Sequence, residues 1–169
     1  QEAYDKDFAL VASDPEINSE EVQIVRVKPA EPPVTTVPQY RDQLERNLAG
    51  IPGVVSVGMV SNGPLFGGTE PGEFRVEGLE ADAPVTANWF DTSPTYFATL
   101  GRAMTRGRPF TPGDRGGAPP VAIVNETFAR RYFSDRSPVG ARIGAGNRPD
   151  TSTNIEIIGV VREVSRVNL

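Results

Sequence analysis

The stretch PPVAIVNETFARRYF (Pro119–Phe133) constrains the fold more than any other part of the chain. It places the apolar run Val121–Val124, typical of a buried strand, directly before a helical pattern. The positions that share one helical face are all apolar: Phe128, Ala129, Tyr132 and Phe133. Asn125 lies between the two patterns, where an N-cap side chain accepts a hydrogen bond from a free N–H of the first helical turn. The sequence therefore predicts a strand that turns directly into a helix.

The first third of the chain has the pattern of a β-α-β unit. Strands are predicted at Val22–Lys28, where apolar and polar residues alternate, and at Val54–Val60, which carries no charge. Val37–Leu48 predicts an amphipathic helix that ends at Gly50 and Pro52. The helical positions expected to face water are the charged ones: Arg41, Asp42, Glu45 and Arg46. A right-handed parallel crossover is the default for such a unit.

A Gly- and Pro-rich segment, Ser61–Glu73, predicts a boundary between two parts of the chain. Further strands are predicted at Glu73–Gly78, Val85–Asp91, Thr105–Phe110 and Ile155–Val164. The segment SPTYFATLG predicts a short helix that is capped by Thr92 or Ser93, carries Pro94 in its first turn and ends at Gly101.

The composition excludes several classes of function. A net charge of -5 disfavours nucleic acid, which is bound by basic surfaces. The chain has no histidine and no cysteine, which excludes zinc hydrolases, Ser-His-Asp enzymes, disulfides and thiol chemistry. No apolar run approaches the ~20 residues that span a bilayer. Because the chain opens on Gln1 without a starting Met or a signal-peptide pattern, we expect it to be a piece of a longer protein.

Three segments with superficial chemical patterns are better explained as turns or solvated surface. Gly140–Gly146 lacks the glycine spacing and the following helix of a dinucleotide loop, so a hairpin turn is favoured. Thr111–Gly117 offers one carboxylate where a calcium loop needs several, so a capped turn with an Asp–Arg contact is favoured. Glu77 with Glu80 or Asp82 lies in exposed turn sequence, so solvated surface is favoured over a pair for acid–base catalysis. We predict no catalytic, cofactor-binding or metal-binding residue.

A set of short motifs follows one another through the second half of the chain. They are Thr92–Phe97, Leu100-Gly101, Gly107-Arg108, Phe110, Asp114, Pro120–Glu126, Ala129–Phe133, Pro138–Gly140, Arg142-Ile143 and Ile158–Val161. This pattern resembles the MacB-like periplasmic core domain of FtsX-like and MacB-like ABC transporter permeases, and is most similar to the duplicated orphan permeases abundant in acidobacteria. The upstream segments IPGVVSVGMVSNGPLFGG and FRVEG resemble the same family.

The resemblance implies an α+β fold in two parts. Residues 1–62 would be a lead-in and a first porter-like β-α-β unit, and residues 63–169 a sabre-like mixed α/β subdomain. A second β-α-β unit of the family has no counterpart in this sequence. The domain would lie on the periplasmic side of the inner membrane, between two transmembrane helices of the permease.

The resemblance also implies a function without catalysis and without a cofactor. The domain would couple ATP hydrolysis by a cytoplasmic ABC ATPase subunit to transport or mechanotransmission outside the membrane. Its partners would be its own transmembrane helices, that ATPase, a periplasmic adaptor or cargo, and a second copy in a homodimer.

Two groups of residues are candidates for roles in this domain. Structural roles are predicted for Pro94, Gly101, Gly107, Arg108, Asn125 and Gly140. A ligand or an interface is predicted at Trp89, Phe90, Tyr96 and Phe97. The alternative function is a binding module that takes a small or lipidic ligand between its subdomains, in a closed cleft lined by these aromatic residues. Filled packing around them would favour the mechanical function.

Overall fold

The computed structural model describes residues 37–61, 71–79 and 84–162 of the 169-residue chain. The helices are α1 (Val37–Ala49), α2 (Tyr96–Thr99) and α3 (Glu126–Tyr132). The strands are β1 (Val60–Ser61), β2 (Gly72–Val76), β3 (Val85–Ala87), β4 (Asp91–Thr92), β5 (Met104–Gly107), β6 (Val121–Asn125), β7 (Arg142–Ala145) and β8 (Ile155–Val161). Helices together with a mixed, largely antiparallel sheet confirm the predicted α+β class.

The chain forms two compact units. The described part of the first unit is residues 37–61 and 90–101, and that of the second unit is residues 71–79, 84–89 and 102–162. The segment Phe90–Gly101, which lies beyond the predicted boundary at residue 62, thus belongs to the first unit. The division into porter-like and sabre-like parts stays a prediction. The predicted strand Val22–Lys28, and with it the β-α-β crossover, lies outside the described residues.

Helix α1 of the first unit ends within one residue of the predicted end, and the Gly50 N–H donates to the Arg46 carbonyl at 3.1 Å in the last turn. The predicted solvent face is mostly wrong: Arg46 is exposed, whereas Arg41, Asp42 and Glu45 are partly buried. Burial lowers the pKa of Arg41, and the charges of Asp91 and Glu45 act in the opposite direction. Long charged side chains can cover apolar surface with their stems while the charge meets a polar partner, which a simple face assignment does not anticipate.

The predicted strand Val54–Val60 is wrong over most of its length. Residues 54–59 form no strand, and only β1 pairs, in antiparallel fashion, with β4. Next to this pair, the Met59 carbonyl accepts from the Ser93 N–H at 2.8 Å, while the Met59 N–H donates to the Ser93 side chain at 2.9 Å. The ladder stops there because the Ser93 carbonyl accepts from the Tyr96 N–H at 3.1 Å and is turned away from Met59.

Helix α2 is shorter than predicted and its cap differs. Its N-cap residue is Thr95, which makes no side-chain cap hydrogen bond. The prediction that Thr92 or Ser93 caps it is therefore wrong, since the Ser93 hydroxyl instead accepts the Met59 N–H. Gly101 follows the helix with a φ of 65°, a left-handed conformation that glycine adopts without a steric penalty.

The second unit is built on a six-stranded sheet with the order β3-β2-β7-β8-β5, in which β6 also pairs with β8. The β6–β8 pairing is parallel and the other pairings are antiparallel. Strands β2, β5 and β8 confirm three of the predicted strands with shifted ends. Strand β7 forms a hairpin with β8, so the hairpin turn predicted at Gly140–Gly146 is wrong over Arg142–Ala145, which are strand.

The predicted strand Val85–Asp91 is two strands with different partners. Strand β3 pairs with β2 in the second unit, whereas β4 pairs with β1 in the first unit. Alternating apolar residues predict extended backbone but not the partner of each residue. A single alternating segment can therefore pass from one unit to the other.

The core of the second unit lies between the sheet and helix α3. Its buried side chains are Phe74, Val76, Val85, Ala122, Val124, Phe128, Phe133, Ile143, Ile157 and Val160. Ile157, on the central strand β8, is 0% exposed. The strand-to-helix corner contributes Val124 from β6 and Phe128 from α3, so the corner packs both elements into one core, as its pattern predicts.

Candidate functional site

Trp89, one of the four candidate ligand or interface residues, lies at the end of the second unit's sheet. Its ring stacks on Phe74 with the centroids 5.7 Å apart and an interplanar angle of 22°. Phe74 is buried, while Trp89 remains 42% exposed. One face of the indole is thus used in packing on Phe74.

The other three candidates, Phe90, Tyr96 and Phe97, belong to the first unit and are partly buried. The rings of Tyr96 and Phe97 meet edge to face, with centroids 5.3 Å apart. Burial raises the pKa of the Tyr96 phenol, so this hydroxyl stays protonated at neutral pH. The structure brings Tyr96 and Phe97 together and pairs Trp89 with Phe74; a ligand cleft lined by all four stays a prediction.

A chain of hydrogen bonds in the first unit, here named the hydroxyl relay, joins Met59, Ser93, Thr95 and Glu45. The Met59 N–H donates to Ser93 Oγ at 2.9 Å, Ser93 Oγ lies 2.9 Å from Thr95 Oγ1, and the Thr95 hydroxyl donates to Glu45 Oε1 at 2.9 Å. The first and last contacts join residues 34 and 50 positions apart. Sequence reasoning missed the relay because no local pattern relates residues at such separations.

A second polar cluster, here named the clasp, holds the loop after β5 in the second unit. Arg108 donates from Nη1 to Asp114 Oδ2 at 2.7 Å and from Nη2 to Asp114 Oδ1 at 2.9 Å. Asp114 Oδ2 also accepts from the Thr111 N–H at 2.7 Å and from the Thr111 hydroxyl at 2.8 Å. The predicted Asp–Arg contact is therefore present. Its arginine is Arg108, which precedes the segment Thr111–Gly117.

The pKa values in the clasp follow from these contacts. Hydrogen bonds from Arg108, and then from Thr111, hold the pKa of the Asp114 carboxyl well below its usual range. The hydrogen bond to Asp114 in turn raises the pKa of Arg108. Strongly shifted pKa values often mark functional sites, but here the partners are structural.

Replacing Asp114 by asparagine is expected to make the stability of the protein depend less on pH between pH 7 and pH 3. A carboxyl pKa lowered by folding stabilises the protein above the unfolded value of about 3.9, and this contribution is lost as the pH falls towards the folded value. At pH 7 the urea midpoint of the wild type should therefore be higher than that of Asp114→Asn. At pH 3 the difference between the two midpoints should be smaller. Fluorescence of Trp89, the chain's single tryptophan, reports the unfolding of this unit. Asp150→Asn, at an exposed position, is the control; a difference independent of pH would contradict this account.

Asn125 stands at the N-cap position that the sequence predicts for α3. Its Oδ1 accepts from the Phe128 N–H at 2.9 Å, and Glu126 places a negative charge in the first turn. This satisfies one of the free N–H groups of the helix start and complements the helix dipole. The corner is thus organised by a cap and by its buried side chains.

Asn125→Ala is expected to lower the free energy of unfolding by about 1 kcal/mol, the usual cost of losing an N-cap. Asn125→Asp, which keeps an acceptor oxygen at the same place, is the matched control and should stay close to the wild type. Urea midpoints followed through Trp89 measure both. An alanine variant as stable as the wild type would mean that the cap contributes nothing to stability.

The glycines among the predicted structural residues differ in what surrounds them. Gly107 has a φ of 71°, and a Cβ on it would lie 2.8 Å from the Gly159 Cα and overlap the Ile158 carbonyl oxygen. Gly140 has a φ of 89° and open space at the same position, and its N–H donates to the Ile157 carbonyl at 2.8 Å. Gly107 is therefore required by contact between β5 and β8, and Gly140 by its backbone conformation alone.

An open groove runs along α3 and β5 in the second unit. Its charged and aromatic lining consists of Arg106, Glu126, Arg130, Phe133, Asp135 and Arg136. Arg136 donates to the Glu77 carbonyl at 2.7 Å and lies 5.0 Å from the centre of the Phe133 ring, so its guanidinium is already engaged. Because the groove is open and rimmed by charges of both signs, it differs from a closed apolar ligand cavity.

Neither metal ligands nor a membrane span stand out in the part of the chain that the structure describes. Within residues 37–61, 71–79 and 84–162, no three Asp or Glu side chains gather into a group that could hold a metal ion. The described helices also include none with the length and apolar character needed to cross a membrane.

Comparisons with known proteins found similarity over most of the chain. A family model described as the MacB-like periplasmic core domain matches residues 9–168. The periplasmic region of MacB from Actinobacillus actinomycetemcomitans has a similar fold, with a TM-score of 0.52 and 20% identity, over 76% of this chain and 57% of that chain. The extracellular domain of the noncanonic ABC-type transporter YknZ from Gram-positive bacteria is also similar, with a TM-score of 0.52 and 20% identity, over 72% of this chain and 57% of that chain.

The chain thus spans less than two thirds of the length of these two solved structures, and at this identity the likeness concerns the fold. No curated protein sequence matches the chain.

Proposed function

The chain belongs to the family of MacB-like periplasmic core domains, and from this premise we propose that it is the extracytoplasmic domain of an ABC transporter permease. In this proposal the domain lies on the periplasmic side of the inner membrane and is joined to transmembrane helices of the same protein. It carries no catalytic site and passes on a conformational change driven by ATP hydrolysis in a cytoplasmic subunit.

The family match over residues 9–168 is the observation that carries this proposal, because it includes parts of both units. Two further observations support a mechanical function over a catalytic one. The chain has no histidine or cysteine, which removes the commonest general base and the thiol nucleophile. The strongly lowered pKa of Asp114 arises from partners that hold a loop.

The form of the second unit also supports mechanical transmission. Its central strand β8 pairs with β5, β6 and β7, and the clasp fixes the loop that follows β5. A closely packed sheet with a fixed loop moves as a rigid body and so passes on a displacement without absorbing it. The proposed partners are the ABC ATPase subunit, a second copy of the permease in a homodimer, and a periplasmic adaptor or cargo.

Distance measurement between spin labels in the complete permease tests the proposal. Because this chain has no cysteine, a single introduced cysteine is the only label site within the domain. Ala49→Cys labels the exposed end of α1, and Ser134→Cys labels an exposed position in the second unit. In membranes with the ATPase subunit, a dipolar signal is expected between two copies, and its distance distribution should shift when ATP is supplied.

An ATPase subunit that binds but does not hydrolyse ATP is the control, and it should hold the permease in one distance distribution. The absence of any signal between copies would argue against the homodimer. Distributions unchanged by nucleotide at both label sites would argue against coupling.

A further inference from the structure

Helix α1 of the first unit has an apolar face, Tyr40, Leu44 and Leu48, that is only partly buried. None of its described side chains, residues 39–49, is fully buried. The turn after it leaves Ile51 50% exposed and Val55 100% exposed. Most helices in proteins are stabilised by packing of an apolar face. A polar contact therefore matters more for the attachment of α1 than for a helix with a buried apolar face.

The hydroxyl relay has a defined direction because each hydroxyl has a single hydrogen. Thr95 donates its hydrogen to Glu45 Oε1, so in its contact with Ser93 it can only accept. Ser93 then donates to Thr95 and accepts from the Met59 N–H. The relay runs from a backbone N–H through two hydroxyls to a carboxylate. In such a chain each hydrogen bond polarises and strengthens the next.

The relay also passes from the interior of the first unit to its surface. Met59 is 4% exposed and Ser93 is 6% exposed, whereas Thr95 is exposed and Glu45 is partly buried. Breaking the inner contact would leave the buried N–H of Met59 without its acceptor, which is costly. Breaking the outer contact releases Thr95 and Glu45 to water, which satisfies both. The outer contact is thus the one that opens at low cost.

We propose that the hydrogen bond between Thr95 and Glu45 is a latch that closes helix α1 onto the turn before α2. Ser93 and Met59 form its fixed side, and Glu45 is its moving side. The latch rests on the proposed function, since a domain that transmits a conformational change requires an element that moves against a fixed frame. A contact with an open and a closed arrangement is the kind of element through which coupling can pass.

Hydrogen-exchange mass spectrometry of the full chain tests the latch. Thr95→Val removes the hydroxyl while keeping the branched shape, and amides of α1 should then exchange about tenfold faster, as expected for the loss of one hydrogen bond to a charged group. Thr95→Ser restores the hydroxyl and should return exchange to the wild-type rate. Glu45→Ala should accelerate exchange as Thr95→Val does, and the double variant should add little to either.

Thr99→Val is the matched control, because Thr99 Oγ1 makes a hydroxyl contact with Ser56 Oγ at 2.6 Å in the same unit, outside the relay. Its α1 amides should exchange at the wild-type rate. Equal exchange of α1 in Thr95→Val and Thr99→Val would overturn the latch. So would an acceleration by the same factor in strands β1 and β4 of the same unit, since that would indicate destabilisation of the whole first unit. The exchange experiment uses no ATPase, so its result is independent of the spin-label experiment. The latch can be wrong while the coupling is observed, and the coupling can be absent while the latch is observed.

Discussion

Gly107→Ala is expected to lower the free energy of unfolding of the second unit by about 3 kcal/mol, as the sum of backbone strain and overpacking. The φ of 71° costs a residue with a Cβ about 1 kcal/mol. The larger part comes from the neighbouring strand, because the new Cβ would overlap the Ile158 carbonyl oxygen on β8. Backbone atoms in a paired strand cannot move aside without loss of hydrogen bonds. The β5–β8 pairing should therefore open or shift.

Gly140→Ala separates the two causes, since Gly140 has a positive φ of 89° but open space to 4 Å around the position that a Cβ would take. It should cost about 1 kcal/mol, the strain alone. Both glycines lie in the second unit, so urea unfolding followed by Trp89 fluorescence reports both variants. Equal losses for the two variants would show that the close approach of β5 and β8 contributes nothing, and would contradict the role assigned to Gly107.

Ile157→Ala is expected to lower the free energy of unfolding by about 3 to 4 kcal/mol, within the range for fully buried aliphatic side chains. Ile157 is 0% exposed on β8, which pairs on both sides. The flanking strands prevent the surrounding structure from closing around the cavity, so both the lost burial and the cavity contribute. In a cell, such a loss would lower the amount of folded protein.

Ile157→Val provides the graded control and should cost about 1 kcal/mol, because it removes one methyl group. Val55→Ala, at a 100% exposed position, should leave stability unchanged within about 0.5 kcal/mol. Thermal unfolding monitored by calorimetry measures all three. A loss for Ile157→Ala no larger than that for Ile157→Val would mean that the core around β8 is loosely packed.

The sequence predicts only part of the candidate site. The cap at Asn125 is predicted by residue type and position, because a cap depends on neighbours in the chain. Gly107 is a candidate only through the resemblance to the family, because its requirement comes from the close approach of β5 and β8. The clasp was predicted only as an Asp–Arg contact in a turn, and the structure identifies Arg108 as the arginine that holds Asp114. The relay was not predicted, since serine and threonine are common surface residues with no distinguishing pattern.

The sequence by itself determined the elements whose signals are local. Helix α1, the corner from β6 into α3, and strand β8 all lie where apolar periodicity, caps and turn residues predict them. These signals act over a few residues, because a helical turn or a short strand is stabilised by its neighbours in the chain. The motifs over Thr92–Val161 also identified the family, which the match to residues 9–168 confirms.

The pairing of extended segments, and the unit to which each segment belongs, became clear only from the folded structure. It left residues 54–59 without a strand and divided Val85–Asp91 between β3 and β4, in different units. It also placed Arg41, Asp42 and Glu45 at partly buried positions of α1. The physical reason is that strand pairing and side-chain partners depend on contacts between residues far apart in the chain. Local pattern specifies that a segment is extended, but the free energy of its pairing depends on a partner that only the folded chain brings near.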